Sequence, residues 1–559
     1  MSDKLRHECA VAMVVLRKTT VATGDFGGTK LSLLLEKQHN RGQDGAGAAF
    51  LSAAPEPGET PYRIFKSASA TPLVDVLGMI AKREKTQERI FLGHLRYATF
   101  GKNNVAFCHP FVHEASDLGH TLLLAGNFNL TNAAELFEDY RRHGSFPTSK
   151  ADGYLITELI SKEAAKNSHI ATAVEKALAG ADGAWTLCGM TGDGWAFATR
   201  DPHGIRPGFY YIDDDVVVVA SERPAIQAAF DVPPEAVKEL PAGETLVVSP
   251  EGEVEFYDFN HKKSLARPCS FERIYFSRAN DADIHRERKA LGAALLPEIL
   301  KAANAPMEDI FFSYIPNSAR IAFHGLLEKI FSDVFSPTST QNSNSRLPRF
   351  GEIAVKDAKF RTFIADAAAR REFYKHVYDV TYGLVRPGRD TLVVLDDSIV
   401  RGNTMKNAIL PMLDRLGPKR IVIASSAPPI RYPDCYGIDM STLGELVAFK
   451  ALVNLMNGDR DLRDALRSDV PNPLAPLYAR FTDEEHCAEI ARLLTPPGMK
   501  AEVVVVYQTV ENLRRCLASQ SSSHIGDWYF TGDYPTPGGY KVLHNAISNY
   551  LACKNERSY

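Results

Sequence analysis

The stretch TLVVLDDSIVRGNTMKNAIL, Thr391 to Leu410, decides how this chain is read. An apolar run of strand length ends in two adjacent acids, Asp396 and Asp397, and a polar turn leads on into a predicted helix. Neighbouring carboxylates repel each other, so the pair predicts a positive group or a hydroxyl-rich ligand beside it. Ligands of open α/β sheets bind at the carboxyl ends of parallel strands, which is where this pair would sit. The backbone N–H groups of Ser398–Thr404, with Gly402 permitting close approach, can cradle a phosphate at the helix N-terminus. Ser398 and Thr404 add hydroxyl donors. The acids would face a sugar's hydroxyls, directly or through Mg2+, which prefers carboxylate and phosphate oxygens. A ribose 5-phosphate carrying a pyrophosphate meets these demands. The alternative for the acid pair alone is a plain acidic turn.

Around this stretch strands alternate with helices: DIFFSYIP, ARIAFHGLLEKIF, DTLVVLDD, TMKNAILPMLDRLG, RIVIASSAP and, after a charged helical segment at 451–499, AEVVVVYQ. That alternation predicts a parallel, doubly wound sheet. The first 240 or so residues read differently. Short β-branched runs such as TLLLAG and DVVVVAS mix with the helical patterns NAAELFEDYRRHG and YLITELISKEAAKN, which predicts an α+β domain with antiparallel sheets. A boundary is expected between Phe256 and Arg267. TSTQNSNSRLPRFGE, Thr338 to Glu352, reads as a surface loop, and the tail from Ile525 as turn-rich with a last short helix. The chain has 559 residues, too many for one core.

The first half holds a second constellation. HECAVAMVV places Cys9 just before a strand; a lone cysteine there is ordinarily a core residue. Its company is Arg41 in QHNRGQDGAG, Arg96 and Thr99 in GHLRYATFG, Asn127 in AGNFNLTN and Asp152 in KADGY. Arginine suits a substrate carboxylate and aspartate an ammonium, so the set describes a pocket for a free amino acid.

VLDDSIVRGNT is similar to the phosphoribosyl pyrophosphate signature of the type I phosphoribosyltransferases. The longer stretch, with CSFERIYFSRAND, YIPNSARIAFHGL, FRTFIA and SSAPPIRYPDCYGIDM in order, resembles the glutamine phosphoribosylpyrophosphate amidotransferase family. The resemblance runs from about Glu8 to Met440. It implies an N-terminal-nucleophile glutaminase domain (an αββα sandwich) at 9–260, after a propeptide at 1–8. A type I phosphoribosyltransferase domain follows at 261–510, with a helical insertion at about 451–499, and then a tail at 511–559. It implies cleavage between Glu8 and Cys9 and assigns Cys9 as nucleophile. Asn127 and Phe128 become the oxyanion donors, and Arg41 a member of the same catalytic set. Arg96, Thr99 and Asp152 would bind glutamine. Asp396, Asp397, Ser398, Arg401, Gly402, Asn403 and Thr404 would bind phosphoribosyl pyrophosphate, with Mg2+ held by Ser318, Asp396 and Asp397. The reaction implied makes 5-phosphoribosylamine, glutamate and pyrophosphate, the first step of purine synthesis, in a homo-oligomer with purine nucleotides as effectors.

The sequence departs from the family at several points. Phe128 stands where the oxyanion motif has glycine, Phe360 where the flexible-loop motif has glycine, Asn317 where the P-D-S/T turn has an acid, and Tyr154 where an acid usually follows the amine-binding aspartate. QHNRGQ carries an extra Asn40. Some relatives hold a [4Fe–4S] cluster; here Gly526 and Tyr529 occupy two ligand positions, Cys269 keeps one, and Asp434 stands at the fourth with Cys435 one residue beyond, so at most two of four ligands survive and no iron–sulfur cluster is expected. The eight cysteines lie at least 29 residues apart, which disfavours a zinc site. A net charge of -4 argues against a nucleic-acid partner. No apolar run approaches a membrane span and the N-terminus lacks a secretory pattern, so a cytoplasmic protein without a membrane partner is expected. Two rivals stay open: a salvage-type phosphoribosyltransferase acting on a base, and a phosphoribosyl pyrophosphate-binding paralogue with weak catalysis.

Overall fold

The structure is a computed structural model that describes residues 9–18, 25–52, 58–84, 87–98, 104–167, 169–259, 264–335, 348–356, 378–456, 458–468, 470–518 and 524–554. Met1–Glu8, Thr99 and the FRTFIA stretch lie outside the described residues.

The first half stacks two antiparallel sheets. Their strands are β1 (Ala10–Leu16), β2 (Gly45–Ser52), β3 (Tyr62–Ser67), β4 (Glu88–Arg96), β5 (Phe111–His113), β6 (Leu122–Leu130), β7 (Gly183–Thr191), β8 (Ala196–Arg200), β9 (Phe209–Ile212), β10 (Val216–Ala220), β11 (Lys238–Glu239), β12 (Glu244–Val248) and β13 (Val254–Asp258). One sheet runs β11-β9-β10-β1-β4-β2-β3, the other β13-β12-β8-β7-β6-β5. β1 reads AVAMVVL without a polar residue because both its faces are covered. Ala10, Ala12, Val14 and Leu16 meet the helices Phe26–Lys37, Pro72–Lys82 and Arg223–Phe230. Val11, Met13 and Val15 interleave with Leu123, Cys188 and Met190 of the facing sheet. That sheet's outer face is covered by the helices Asp152–Ala164 and Ile170–Leu178. The layers are helix, sheet, sheet, helix, the predicted αββα sandwich.

The second half is the predicted parallel sheet, ordered β15-β14-β18-β19-β20. Its strands are β14 (Ile310–Tyr314), β15 (Arg349–Phe350), β18 (Thr391–Asp396), β19 (Arg420–Ser425) and β20 (Glu502–Tyr507). β16 (Ala354–Lys356) and β17 (Tyr378–Val380) form a separate antiparallel pair. Alternate residues of β18 enter separate cores, Leu392 and Val394 on one face, Val393 and Leu395 on the other. A strand buried on both faces must read as a continuous apolar run.

Four segments differ from their sequence reading. The end of the expected loop Thr338–Glu352 pairs with β14 as the edge strand β15. The expected single helix after Thr404 opens with a wide π-type turn, Met405–Ile409, before Leu410–Asp414; Pro411, lacking an N–H, sits at that junction. Within the expected insertion, the helix Asp483–Leu494 is the crossover into β20, and its Ile490 and Leu494 share a core with Val505 and Ile423. The tail ends in a long helix, Pro537–Leu551, whose start grips the first half. There Asp182 accepts from Thr536 Oγ1 at 2.6 Å and from Gly538 N–H at 2.9 Å. A shared core, including Ile205, Phe271, Tyr436, Trp528 and Tyr529, seals this seam. Each large side chain fully buried there stabilises it by roughly 1.5–3 kcal/mol.

Candidate active sites

Cys9 directly precedes β1, whose register sets Ala10 opposite Leu95 of β4. The thiol therefore lies against the end of β4, where Tyr97 N–H donates to Sγ at 3.3 Å. The turn at Arg41–Asp44 closes over the same strand end. Gly42 has φ +47° and a Cβ there would stand 2.4 Å from the Leu95 carbonyl, so the turn requires glycine. Asp44 gives its N–H to Arg96 O at 3.0 Å and accepts from Ala98 N–H at 3.0 Å.

Arg96 ends β4, buried, with its guanidinium 5.8 Å from the Phe107 ring centre. Asp152 opens its helix; burial pushes its carboxyl up, while Gly153 N–H at 3.0 Å and the charge of Arg96 pull it back. The end of β4 thus brings a cation, Arg96, within electrostatic reach of an anion, Asp152. Asn127 is buried on β6, opposite Thr186 of β7. Phe128 keeps extended strand backbone, and its ring reaches the Asp152 helix, 3.3 Å from where a Cβ on Gly153 would stand. The glycine-to-phenylalanine departure is accommodated without a left-handed φ.

Arg41 turns to other partners. Its guanidinium is fully buried, with Nε 2.6 Å from Glu222 and Nη2 2.5 Å from Glu272, a residue of the CSFERIYF stretch. It ties the first half to the second. Removing one member of such a buried network leaves an uncompensated charge, a loss of about 3–5 kcal/mol.

In the second half, Asp396 and Asp397 stand where β18 ends, as the sequence predicts. Burial and then the charge of Asp397 push the Asp396 carboxyl well up. Burial also pushes Asp397 up, against the pull of Ser318, Ser398 and the charge of Arg288. Ser318 donates to Asp397 from the turn after β14, which carries a cis peptide at Pro316–Asn317. Ser398 Oγ donates at 2.9 Å. From the end of β19, Ser426 N–H donates to Asp396 O at 2.9 Å. Gly402 has φ +76°, and a Cβ there would stand 2.3 Å from Leu494, so the crossover helix buttresses this turn. Arg401 pairs with Glu445 at 2.6 Å and with Asp439 O at 2.9 Å. Asn403 and Thr404 begin the helical turn, and Lys406 Nζ reaches Leu493 O at 2.9 Å.

The amidophosphoribosyltransferase of Archaeoglobus fulgidus is 30% identical over 362 residues, which cover 64% of this chain and 72% of the relative. The chain belongs to the amidophosphoribosyltransferase family. A family model described as a glutamine amidotransferase domain matches residues 109–228. Among solved structures, the Bacillus subtilis glutamine phosphoribosylpyrophosphate amidotransferase complexed with ADP and GMP superposes with TM-score 0.67 at 25% identity, covering 94% of this chain and 97% of its own. A structure titled as the allosteric regulatory enzyme of purine biosynthesis gives TM-score 0.69 at 25% identity, over 94% and 96% of the two chains.

For an amidophosphoribosyltransferase, two prosthetic groups need testing against the residues present. The oxygen set of Asp396, Asp397 and Ser318 fits a hard divalent cation: two like-charged carboxylates are packed together and both favour protons. Mg2+ asks for one or two carboxylates and takes its other ligands from water and phosphate. Among the described residues no group of three or more His, Cys, Asp or Glu gathers as a metal site. The positions compared with cluster ligands do converge, and they do not fit iron. Cys269 pairs with Gly526 in an isolated bridge, and its Sγ faces Tyr529 Oη at 3.6 Å. Tyr529 Oη also lies 2.6 Å from Ser270 Oγ and 2.6 Å from Phe271 N. Asp434 accepts from Trp528 Nε1 at 2.9 Å and from the Tyr436 and Ile438 N–H groups at 2.9 and 2.7 Å. A phenol, a glycine and an occupied carboxylate offer no thiolates.

Sequence reasoning missed Arg288, on the helix Ala282–Ala294. It is buried, its guanidinium pushed down to about 10 by desolvation and held up first by Asp397, then by Glu222, Glu287 and Glu272. Its guanidinium donates to Arg273 O and Ser277 O, both at 2.8 Å, while its charge reaches Asp397 and the carboxylates that hold Arg41. No motif marks it, because its partners are scattered along the chain.

Proposed function

We propose that this chain hydrolyses glutamine at Cys9 and uses the ammonia to displace pyrophosphate from phosphoribosyl pyrophosphate. The products are 5-phosphoribosylamine, glutamate and pyrophosphate. The observation that carries the reading is one chain holding both a thiol against the strand end that carries Arg96, whose charge reaches Asp152, and an acid pair at the end of a parallel strand.

Removal of residues 1–8 gives Cys9 a free α-amine. That amine titrates near ~8, close to a thiol, and takes its proton. The thiolate attacks the side-chain carbonyl of glutamine, whose carboxylate pairs with Arg96 and whose ammonium pairs with Asp152. The family resemblance gives Thr99 a glutamine-binding role as well. Asn127 and the Phe128 N–H donate to the oxyanion; each such donor contributes about 10²–10³ in rate. Ammonia leaves, and water releases glutamate from the thioester. Arg41 supports the nucleophile's turn through Glu222 and Glu272. In the other half, Asp396 and Asp397 hold the ribose hydroxyls, and the Ser398–Thr404 turn holds the 5-phosphate. Mg2+, held by Asp396, Asp397 and Ser318, would neutralise charge on the leaving pyrophosphate. Purine nucleotides regulate the reaction, and the chain assembles as a homo-oligomer.

The test is a product assay with glutamine and then ammonium as nitrogen donor. Formation of 5-phosphoribosylamine from both supports the reading. A response only to a purine or pyrimidine base would point to salvage chemistry, and tight phosphoribosyl pyrophosphate binding without turnover to a weakly catalytic paralogue. Intact-mass measurement of active protein should find Cys9 first; an active chain that keeps Met1 or Ser2 would mean that another group activates the thiol.

A further inference from the structure

The proposed glutamine site is split between two sheets. Cys9 and Arg96 belong to the strand ends of one, Asn127 to β6 of the other. Between them lie two buried imidazoles. His94 sits on β4, opposite Val11 of β1, and its Nε2 is 3.0 Å from Gly126 O. Gly126 N–H donates to His109 Nδ1 at 3.2 Å. The rings stack at 4.0 Å with 7° between their planes.

Gly126 is the residue before Asn127, and the reason it needs these partners is visible in the sheet. β5 pairs with β6 from His113–Leu122 to Phe111–Leu124 and goes no further. Continued by two residues, that register would bring His109 opposite Gly126. There the imidazole takes the N–H, and His94 takes the carbonyl from across the sandwich. The His109 backbone is itself pressed onto β2: a Cβ on Gly47 would lie 1.9 Å from His109 O.

We propose that His94 and His109 are positioning residues for glutamine hydrolysis: as a neutral stacked pair they fix Gly126, and so aim the Asn127 amide and Phe128 N–H at the oxyanion formed beside Cys9. The inference rests on the reading of Cys9 and Asn127 given above.

The hydrogen bonds determine the protonation states. His94 must carry its proton on Nε2 to donate to a carbonyl. His109 must leave Nδ1 bare to accept from an N–H. A proton on His109 Nδ1 would set donor against donor. A proton on His94 Nδ1, which has no hydrogen-bond partner among the described residues, would press a cation onto the stacked ring. The charged and titratable groups facing the pair are Lys66 from β3, Arg96 from β4 and each ring for the other, with the neutral Cys108 thiol beside His109. Burial and these cations hold His94 down to about 3 and His109 well below the ordinary histidine value. Both folded values are lowered, so the folded protein binds fewer protons than the unfolded chain below about 6.5. Their contribution to stability is present above that pH and falls as the pH drops toward the folded values.

The test uses full-length matured enzyme. His109→Leu removes the acceptor, and His109→Gln keeps a neutral one. The expected result for His109→Leu is a fall of about 100-fold in kcat with glutamine, the scale of a misplaced catalytic group. The KM for glutamine, the rate with ammonium, and alkylation of Cys9 by iodoacetamide should stay within a few-fold. His109→Gln should recover to within about tenfold of the parent, a recovery that only the aim of the strand explains. A His94→Gln/His109→Gln double variant keeps both hydrogen bonds without a titratable ring and should retain glutamine turnover; it carries the test if His109→Leu does not fold. Parent-like kcat in His109→Leu, loss expressed in KM, or a dead double variant would overturn the inference. Cys9→Ala is the control. If it still uses glutamine, the reading of the site has failed; if it is dead while His109→Leu is normal, only the positioning role has.

Discussion

The two sites solve opposite electrostatic problems. Around Cys9 the charges are of opposite sign: burial pushes the Asp152 carboxyl up, and the charge of Arg96 pulls it back. At the end of β18 they are alike: Asp396 and Asp397 are packed together, both carboxyls driven up, with Arg288 the nearby cation. A pocket balanced in sign suits a zwitterion, whose ammonium and carboxylate each meet an opposite charge. An unbalanced one suits a substrate that arrives with a cation. The proposed glutamine site thus offers both signs of charge, and the proposed phosphoribosyl site an excess of acid.

The largest expected effect breaks the unbalanced side. Replacing Asp396 and Asp397 together by Asn should lower synthesis from glutamine and ammonium alike, by about 10³-fold or more. Retained ammonium-dependent synthesis would remove the pair from the site. Cys9→Ala should abolish glutamine use and leave ammonium-dependent synthesis near normal, since it touches only the balanced site; normal glutamine rates would exclude Cys9 as nucleophile. Gly402→Ala should raise the KM for phosphoribosyl pyrophosphate about tenfold with either donor. The left-handed φ costs of order 1–3 kcal/mol in a residue with a Cβ, and Leu494 blocks that Cβ. Adding Leu494→Ala should recover part of the loss, and no recovery would place the strain elsewhere.

Two smaller effects sharpen the contrast through stability. Asp396→Asn alone should raise the Tm of ligand-free protein by about 1–3 °C while lowering activity, because it relieves like charge; a lower Tm would show the pair to be balanced already. The sign agrees with the titration. Carboxyls raised in the folded state stabilise below the unfolded value of 3.8 and lose that stabilisation as the pH rises through their folded values. Tyr529→Phe should lower stability by about 1–3 kcal/mol by leaving buried partners unsatisfied, with no change in iron content, which should be absent in both proteins. Stoichiometric iron and sulfide would overturn the reading of the tail.

Where the sequence was legible, the physics was local. The doubly buried strands announced themselves as apolar runs. The turn after Asp397 carried its own signals, with Gly402 where a left-handed φ is required and hydroxyls on either side. The place of the acid pair at a strand end was readable because strand, acids and turn are contiguous. The residues proposed for glutamine, Cys9, Arg96, Asn127 and Asp152, came from resemblance, since they lie on separated strands and one helix. The expected loop ending in β15, the crossover helix within the expected insertion and the docking of the tail were not legible. Each depends on what a segment packs against, and a short polar or charged segment does not specify that.

By itself the sequence determined which strands are buried on both faces, where an acid pair would be offered to a ligand, and which cysteine precedes a strand at the chain's start. These follow from apolar period, turn chemistry and residue type within a few positions. Only the tertiary structure decided how charge and hydrogen bonds are shared across long separations. Arg41 joins Glu272 of the other half, the charge of Arg288 reaches both Asp397 and the carboxylates of Arg41, and two histidines fifteen residues apart close on one glycine of β6. A buried polar group takes whatever partner the packed fold brings within reach, and that reach is set by layers and registers that no local window contains.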